Sequence, residues 1–182
     1  MVQLNEFIGQ RKLMQIITSL LNSSETNLSQ TELLKKTKIS KTTAIKWLDF
    51  LEKSDLIQCQ RIGTTNLYSI KKENPIIKEF KRLKSIAELQ TFAQLAQKQS
   101  VEIYLYGSAA RGEDTPESDY DILIIGTIKM PQIISDIAKL EKNLKKKISI
   151  KIFTHFEWSE LKKKDPAFYE RVEKDKLRLS WI

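Results

Sequence analysis

The chain has one cysteine, Cys59, and one histidine, His155, among its 182 residues. A single thiol excludes an internal disulfide and any cysteine-cluster metal site, and it fits a reducing compartment; Cys59 reads as a packing residue. No apolar run approaches the ~20 residues that a membrane-spanning helix needs. The opening stretch MVQLNEFIGQRK has no basic segment followed by an apolar one, so no secretory leader is expected there. Together these absences predict a cytoplasmic chain with no membrane partner. Acidic excess is lacking too: the formal net charge is +8 and the isoelectric point is near 9.4. That balance permits an anionic partner, a nucleic acid or a nucleotide. The lysine runs 145–147 and 162–164 by themselves read as solvated helix ends. With 41% hydrophobic and 30% charged residues, the chain can bury a core, and its length suits two small domains.

In residues 1–74, Ile8, Leu13, Ile16, Ile17, Leu20 and Leu21 recur at helical spacing, which predicts a helix over Phe7 to Leu21 that fades at Asn22 to Ser24. Ser29-Gln30-Thr31-Glu32 is a capping box opening a second helix to about Thr37. Ser40 caps a third, whose apolar side is Ala44, Ile45, Trp47, Leu48 and Leu51. After Ser54-Asp55 the pattern alternates through Leu56, Ile57, Cys59 and Ile62, turns at Gly63-Thr64-Thr65, and resumes at Leu67, Tyr68 and Ile70, a β-hairpin signal. Three short helices followed by a hairpin resemble a winged helix-turn-helix. That resemblance implies double-stranded DNA as partner, with Lys41, Thr42, Thr43 and Lys46 at the major groove and Arg61, Thr64, Thr65 and Asn66 on the wing. Lysines and hydroxyls suit phosphates, which position without specifying sequence. No Arg, Asn or Gln stands at the start of the third helix for bidentate base contacts. The fold's other use is protein interaction or dimerisation. Eleven basic and seven acidic side chains leave residues 1–74 at +4.

Residues 75–99 form a connector. Asn74-Pro75 is a helix start, and strong helix formers continue almost to Gln99. Ile76, Phe80, Leu83 and Ala87 make one stripe; Leu89, Phe92, Ala93 and Ala96 make another. Ser85 to Glu88 is a second possible capping box, so the connector is either one helix or two with a break near Lys84. An exposed stripe on its first half would suit a homodimer on a two-fold DNA site.

The stretch Val101 to Ile125 organises the remainder, residues 100–182, whose first helix falls within 85–99. Val101 to Tyr106 and Tyr120 to Ile125 read as buried strands. Between them stand Gly107-Ser108, a short turn through Ala109 to Arg111, and a loop at Thr115-Pro116. Asp119 and Asp121 share a face of the second strand, because side chains repeat every second residue. A helix from Pro131 to about Leu144, a strand at 148–153, two short helices near Glu157 and Asp165, and a last strand within Leu177 to Ile182 follow. Trp158, Phe168, Tyr169 and Trp181 have core spacing.

Gly107-Ser108, ten intervening residues, then Asp119-Tyr120-Asp121 between two strands is similar to the signature of the nucleotidyltransferase superfamily related to DNA polymerase beta. The similarity is strongest to its minimal branch. The expected class is therefore mixed α/β (α+β): a winged helix-turn-helix plus a nucleotidyltransferase-fold domain with a short mixed sheet and flanking helices. The resemblance implies that Asp119 and Asp121 hold Mg²⁺ or Mn²⁺ against a nucleoside triphosphate, ATP first among them, since hard cations favour carboxylate and phosphate oxygens. Gly107, Ser108, Arg111 and Lys151 would face the phosphates, although Arg111 could instead pair with Glu113 or Asp114, and Lys151 could instead neutralise the two aspartates as a structural ion pair. Transfer of a nucleoside monophosphate to a hydroxyl is implied, on a toxin-like protein partner as in antitoxins of this branch, on an RNA end, or on a small molecule. Active members usually carry a third carboxylate on the later strand. Here Ile148 to Phe153 has none and offers Ser149 and Lys151; Glu157 lies farther along. His155 is either a base or phosphate contact, or a surface or capping residue. Two readings follow: a DNA-binding regulator with an active nucleotidyltransferase domain, or an inactive regulator that senses nucleotide or binds a partner.

Overall fold

The computed structural model describes residues 4–23 and 27–179, and the chain divides into two units, residues 1–78 and 79–182. In the first, a 3-10 turn at Leu4–Glu6 precedes α1 (Arg11–Leu21). Gly9, at φ +87°, interrupts the helical run. Phe7 is buried with its ring 5.7 Å from that of Phe50, while Ile8, which spacing assigns to the core stripe, is 67% exposed. Helix α1 buries Leu13, Ile16, Ile17, Leu20 and Leu21. Strand β1 (Leu28–Ser29) is too short to leave a period-two signal in the sequence. Ser24, at the expected fading point of the first helix, lies outside the described residues.

Helix α2 (Gln30–Thr37) opens on the expected capping box. The Glu32 amide donates to Ser29 Oγ at 3.3 Å, and the Ser29 amide donates to Glu32 Oε2 at 2.8 Å. Helix α3 (Lys41–Lys53) is capped by Ser40 and buries Ala44, Leu48 and Leu51. Ile45, one residue off that stripe, is 47% exposed instead of in the core. Strands β2 (Ile57–Ile62) and β3 (Thr65–Ile70) form the antiparallel hairpin, with Ile62 opposite Thr65. Strand β1 adds to β3, giving the order β1-β3-β2. Helices α1, α2 and α3 with this hairpin make a winged helix.

Helix α4 (Pro75–Glu88) is followed by α5 (Gln90–Gln99), with the break at Leu89. Ser85 is not a cap; it is buried inside α4. The buried positions are Ile77, Lys81, Ser85 and Leu89, every fourth residue. The expected stripe is turned outward, with Ile76, Leu83 and Ala87 exposed. The face that packs includes a lysine and a serine that find polar partners, Lys81 at the Asp114 carbonyl and Ser85 at Tyr120.

The second unit has a four-stranded mixed sheet in the order β6-β5-β4-β7. Its strands are β4 (Glu102–Tyr106), β5 (Tyr120–Ile125), β6 (Ile148–Phe153) and β7 (Leu177–Arg178). Between them come α6 (Gly107–Arg111), α7 (Ile134–Leu144), α8 (His155–Lys164) and α9 (Pro166–Asp175). Strands β4 and β5 are antiparallel, β5 and β6 parallel. One face, with Ile103, Leu105, Tyr120, Ile122 and Ile124, packs on Phe92 and Ala96 of α5 and Ile137 of α7. The other face, with Tyr106, Leu123 and Ile125, packs on Trp158 of α8 and Phe168 and Val172 of α9. The sheet is thus a middle layer between two layers of helices, as strands buried on both faces require. Trp181 lies outside the described residues. Among the described residues no helix is long and apolar enough to cross a membrane.

Candidate functional site

Strand β4 ends at Tyr106, and Gly107 turns the chain at φ +77°. A Cβ built on Gly107 would lie 2.5 Å from Asp121 Oδ2. Two demands therefore select glycine: a left-handed backbone and a carboxylate in the space a side chain would fill. The register explains the approach, since Tyr106 pairs directly with Asp121 across β4 and β5. Residues distant in sequence, the Gly-Ser turn and the second aspartate, are brought together by one antiparallel pair. The Ser108 hydroxyl makes no hydrogen bond among the described residues.

Asp119 and Asp121 flank Tyr120, whose side chain enters the opposite face. Asp119 is exposed and Asp121 half-buried. Burial is the first cause that pushes the Asp121 carboxyl above its usual range, and the Asp119 charge is the second; Lys151, Arg171 and Arg111 pull the other way. The Tyr106 phenol is pushed up to about 12, by burial first and by Asp121 next.

On the parallel side, Ser149 pairs with Asp121 and Lys151 with Leu123, so Ser149 and Lys151 share the Asp121 face. The Lys151 ammonium stands 4.2 Å from the Phe168 ring centroid. Arg171, on α9, lies 5.4 Å from the same ring. No local pattern in the sequence marks Arg171; its proximity arises only because α9 packs on this sheet face. Glu157 is occupied as a cap, its carboxylate accepting from the Thr154 amide and hydroxyl at 2.8 and 2.9 Å. His155 is exposed on the first turn of α8.

Arg111 is engaged by acids. Its Nε donates to Glu113 at 2.7 Å and its Nη1 to Asp175 at 3.1 Å. The pairing with Glu113 is one of the two roles its sequence context allows; Asp175 enters from α9.

Behind the site, the loop from Glu113 to Ser118 is held by buried charge. Lys146 forms a 2.9 Å ion pair with Asp114, their side chains 9% and 10% exposed. Its ammonium also lies 4.2 Å from the Tyr120 ring centroid. Lys81 donates to the Asp114 carbonyl. The Tyr120 hydroxyl donates to Glu88 at 2.5 Å, and Glu88 pairs with Lys84 at 2.8 Å. Lys146 is thus not a solvated helix end, unlike its exposed neighbours Lys145 and Lys147.

In the first unit, Lys41, Thr42 and Lys46 are exposed on α3, and Arg61, Thr64 and Thr65 on the hairpin. Thr43 is half-buried and its Oγ1 accepts from Ser40 Oγ at 2.8 Å. Arg61 Nε donates to the Gly63 carbonyl at 3.2 Å, bracing the hairpin turn. The N-terminal turn of α3 and the hairpin tip thus present cations and hydroxyls to solvent.

Among the described residues no group of three or more His, Cys, Asp or Glu is placed to hold a metal ion. The pair Asp119 and Asp121 still fits a hard divalent cation. Two carboxylates close enough to perturb one another lack a neutralising partner at contact distance, and Mg²⁺ commonly takes one or two carboxylates plus phosphate and water oxygens.

Residues 76–178 match the family model of the nucleotidyltransferase domain, and residues 14–71 match that of the TBPIP/Hop2 winged helix domain. The crystal structure of AF1382 from Archaeoglobus fulgidus is similar at a TM-score of 0.40 and 13% identity, over 48% of this chain and 96% of that one. No curated protein matches the chain.

Proposed function

The chain belongs to the nucleotidyltransferase domain family, and on that ground we propose that residues 79–182 bind a nucleoside triphosphate with Mg²⁺ and transfer its nucleoside monophosphate to a hydroxyl, in a cytoplasmic regulator whose winged helix binds double-stranded DNA. The observation that carries this reading is the approach of Gly107 to Asp121, with Asp119 just ahead of β5 and close enough to act on the Asp121 carboxyl. Asp119 and Asp121 would hold the ion, which supplies positive charge to phosphate oxygens. Ser108, Lys151 and Arg111 surround the place where phosphates would lie, Arg111 after exchanging an acidic partner for a phosphate. In the transfer, an acceptor oxygen bonds to the α-phosphorus, the bond to the bridging oxygen breaks, pyrophosphate leaves, and the hydroxyl proton passes to solvent. The acceptor is a side chain of a toxin-like protein partner, an RNA end or a small molecule.

Incubation of the chain with labelled ATP, Mg²⁺ or Mn²⁺ and each acceptor class tests this. Label transfer is expected with wild type and not with the Asp119→Ala, Asp121→Ala double variant; absence of transfer with every acceptor removes the enzyme reading. A second reading is favoured by Ser149 and Lys151 on the strand where a third acid would assist the acceptor. In it the site binds nucleotide and acts as a sensor. Calorimetry read beside the transfer assay separates the two, because both bind ATP and only the enzyme transfers label.

For the DNA function, Lys41, Lys46, Thr42, Thr64 and Thr65 would meet phosphates, with Thr43 and Arg61 shaping the surface beside them. Replacing Lys41 and Lys46 by Ala is expected to weaken duplex binding and to lower the slope of log affinity against log salt by roughly 2, about 0.9 for each phosphate left unneutralised. An unchanged slope refutes this placement of the groove helix. A homodimer, supported by exposed Ile76 and Leu83 on α4, would match a two-fold DNA site; light scattering that returns a monomer mass removes it.

A further inference from the structure

Four charged side chains meet on one face of β5 and β6 without satisfying one another. Asp119 and Asp121 bring two negative charges, while Lys151 and Arg171 bring two positive ones close enough to act on Asp121. The two cations come from different elements, the β6 strand and helix α9, and both lie against one buried ring. Lys151 Nζ stands 4.2 Å and Arg171 Cζ 5.4 Å from the Phe168 centroid. Phe168 itself packs edge-on against Tyr106, the residue registered opposite Asp121. Among the described residues, none of the four charged groups makes a hydrogen bond or an ion pair. Lys176, by contrast, lies over Tyr104 and is paired with Glu173.

An aromatic face holds a cation in place without neutralising it, so its charge remains available to an anion. The same cations oppose a second metal. A divalent ion placed toward Ser149 would find no third carboxylate and would be repelled by Lys151 and Arg171. One divalent ion balances two aspartates, and the two fixed cations then face the remaining charge of a polyphosphate. Arginine adds a planar fork suited to phosphate oxygens.

We propose that this site takes a nucleoside triphosphate with a single divalent cation, and that Lys151 and Arg171 supply the positive charge a second ion would bring. The inference rests on the nucleotide reading above and assigns Arg171, on α9, to phosphate contact.

The test uses the full chain in excess over α,β-methylene-ATP, which cannot be cleaved at the reacting bond, with Mn²⁺ counted by electron paramagnetic resonance and affinity measured by calorimetry. One Mn²⁺ for each bound analogue is expected. Lys151→Met, which keeps the stem over Phe168, and Arg171→Gln should each weaken the analogue about tenfold, the size of a missing charge-assisted hydrogen bond, with the ion count unchanged. Arg171→Lys should recover part of the loss, and Lys151→Asp should raise the count to two. Two Mn²⁺ per analogue in wild type, or unaltered affinity in both neutral variants, overturns the inference while nucleotide binding stands. An analogue that does not bind with or without Mn²⁺ overturns the nucleotide reading, and this one with it. Thermal unfolding of each variant, matched to wild type, certifies its fold.

Discussion

Asp121 answers to opposed demands. Its half-buried position beside Asp119 suits a cation, yet burial first and the Asp119 charge next push its carboxyl above the usual range. For an acid raised in this way, the contribution to stability is full at low pH and is lost as pH rises through the folded value. Asp121→Asn, neutral at every pH, should therefore melt higher than wild type near pH 7–8, by roughly 2 °C, and the difference should vanish as the buffer is acidified. Calorimetric scans across pH check this; a variant that melts lower at pH 8 contradicts it. Part of this site is legible in the sequence because Gly107, Ser108, Asp119 and Asp121 are joined by one strand-turn-strand unit whose spacing is local. Arg171 and the second partner of Arg111 are not legible in that way. Both depend on α9 folding back over the sheet, a long-range event with no local signature.

Among the elements, the helices whose ends carry their own chemistry are the readable ones. Ser29 with Glu32 and Ser40 with Thr43 satisfy backbone amides within one turn, and both starts fall where the sequence puts them. The buried face of helix α4 is the part that spacing leaves unmarked, because it includes Lys81 and Ser85, residues that hydrophobic spacing discounts and that only tertiary partners accommodate. The Lys146–Asp114 pair escapes for the same reason: a lysine run looks solvated until a loop residue from another element meets it. That pair pins the loop leading into β5, and Asp114 Oδ1 is buried with no hydrogen-bond partner among the described residues. Lys146→Ala should cost about 3 kcal/mol, the range for removing one member of a buried pair, since Asp114 keeps its charge and loses its counter-ion. The Lys146→Met, Asp114→Asn double variant should lose less. Urea unfolding gives both values, and a double variant less stable than Lys146→Ala goes against the pair as the source of the cost.

For the whole molecule, each of the two units has its own sheet and buried core, so unfolding is expected in two transitions, not one. ATP with Mg²⁺ should raise one melting temperature and duplex DNA the other, because a ligand stabilises only the unit that binds it. Differential scanning calorimetry with each ligand in turn decides; a single transition shifted equally by both contradicts independent units. The positions of two tryptophans make the same distinction optically. Trp47 on α3 has the Lys46 ammonium 5.0 Å from its ring, and Lys46 is a proposed phosphate contact. Trp158 on α8 lies edge-on to Phe168, the ring that holds Lys151 and Arg171. Indole emission responds to nearby charge, so each unit contains an intrinsic fluorescent probe next to its own candidate surface, and ligand occupancy can be followed in the unlabelled chain.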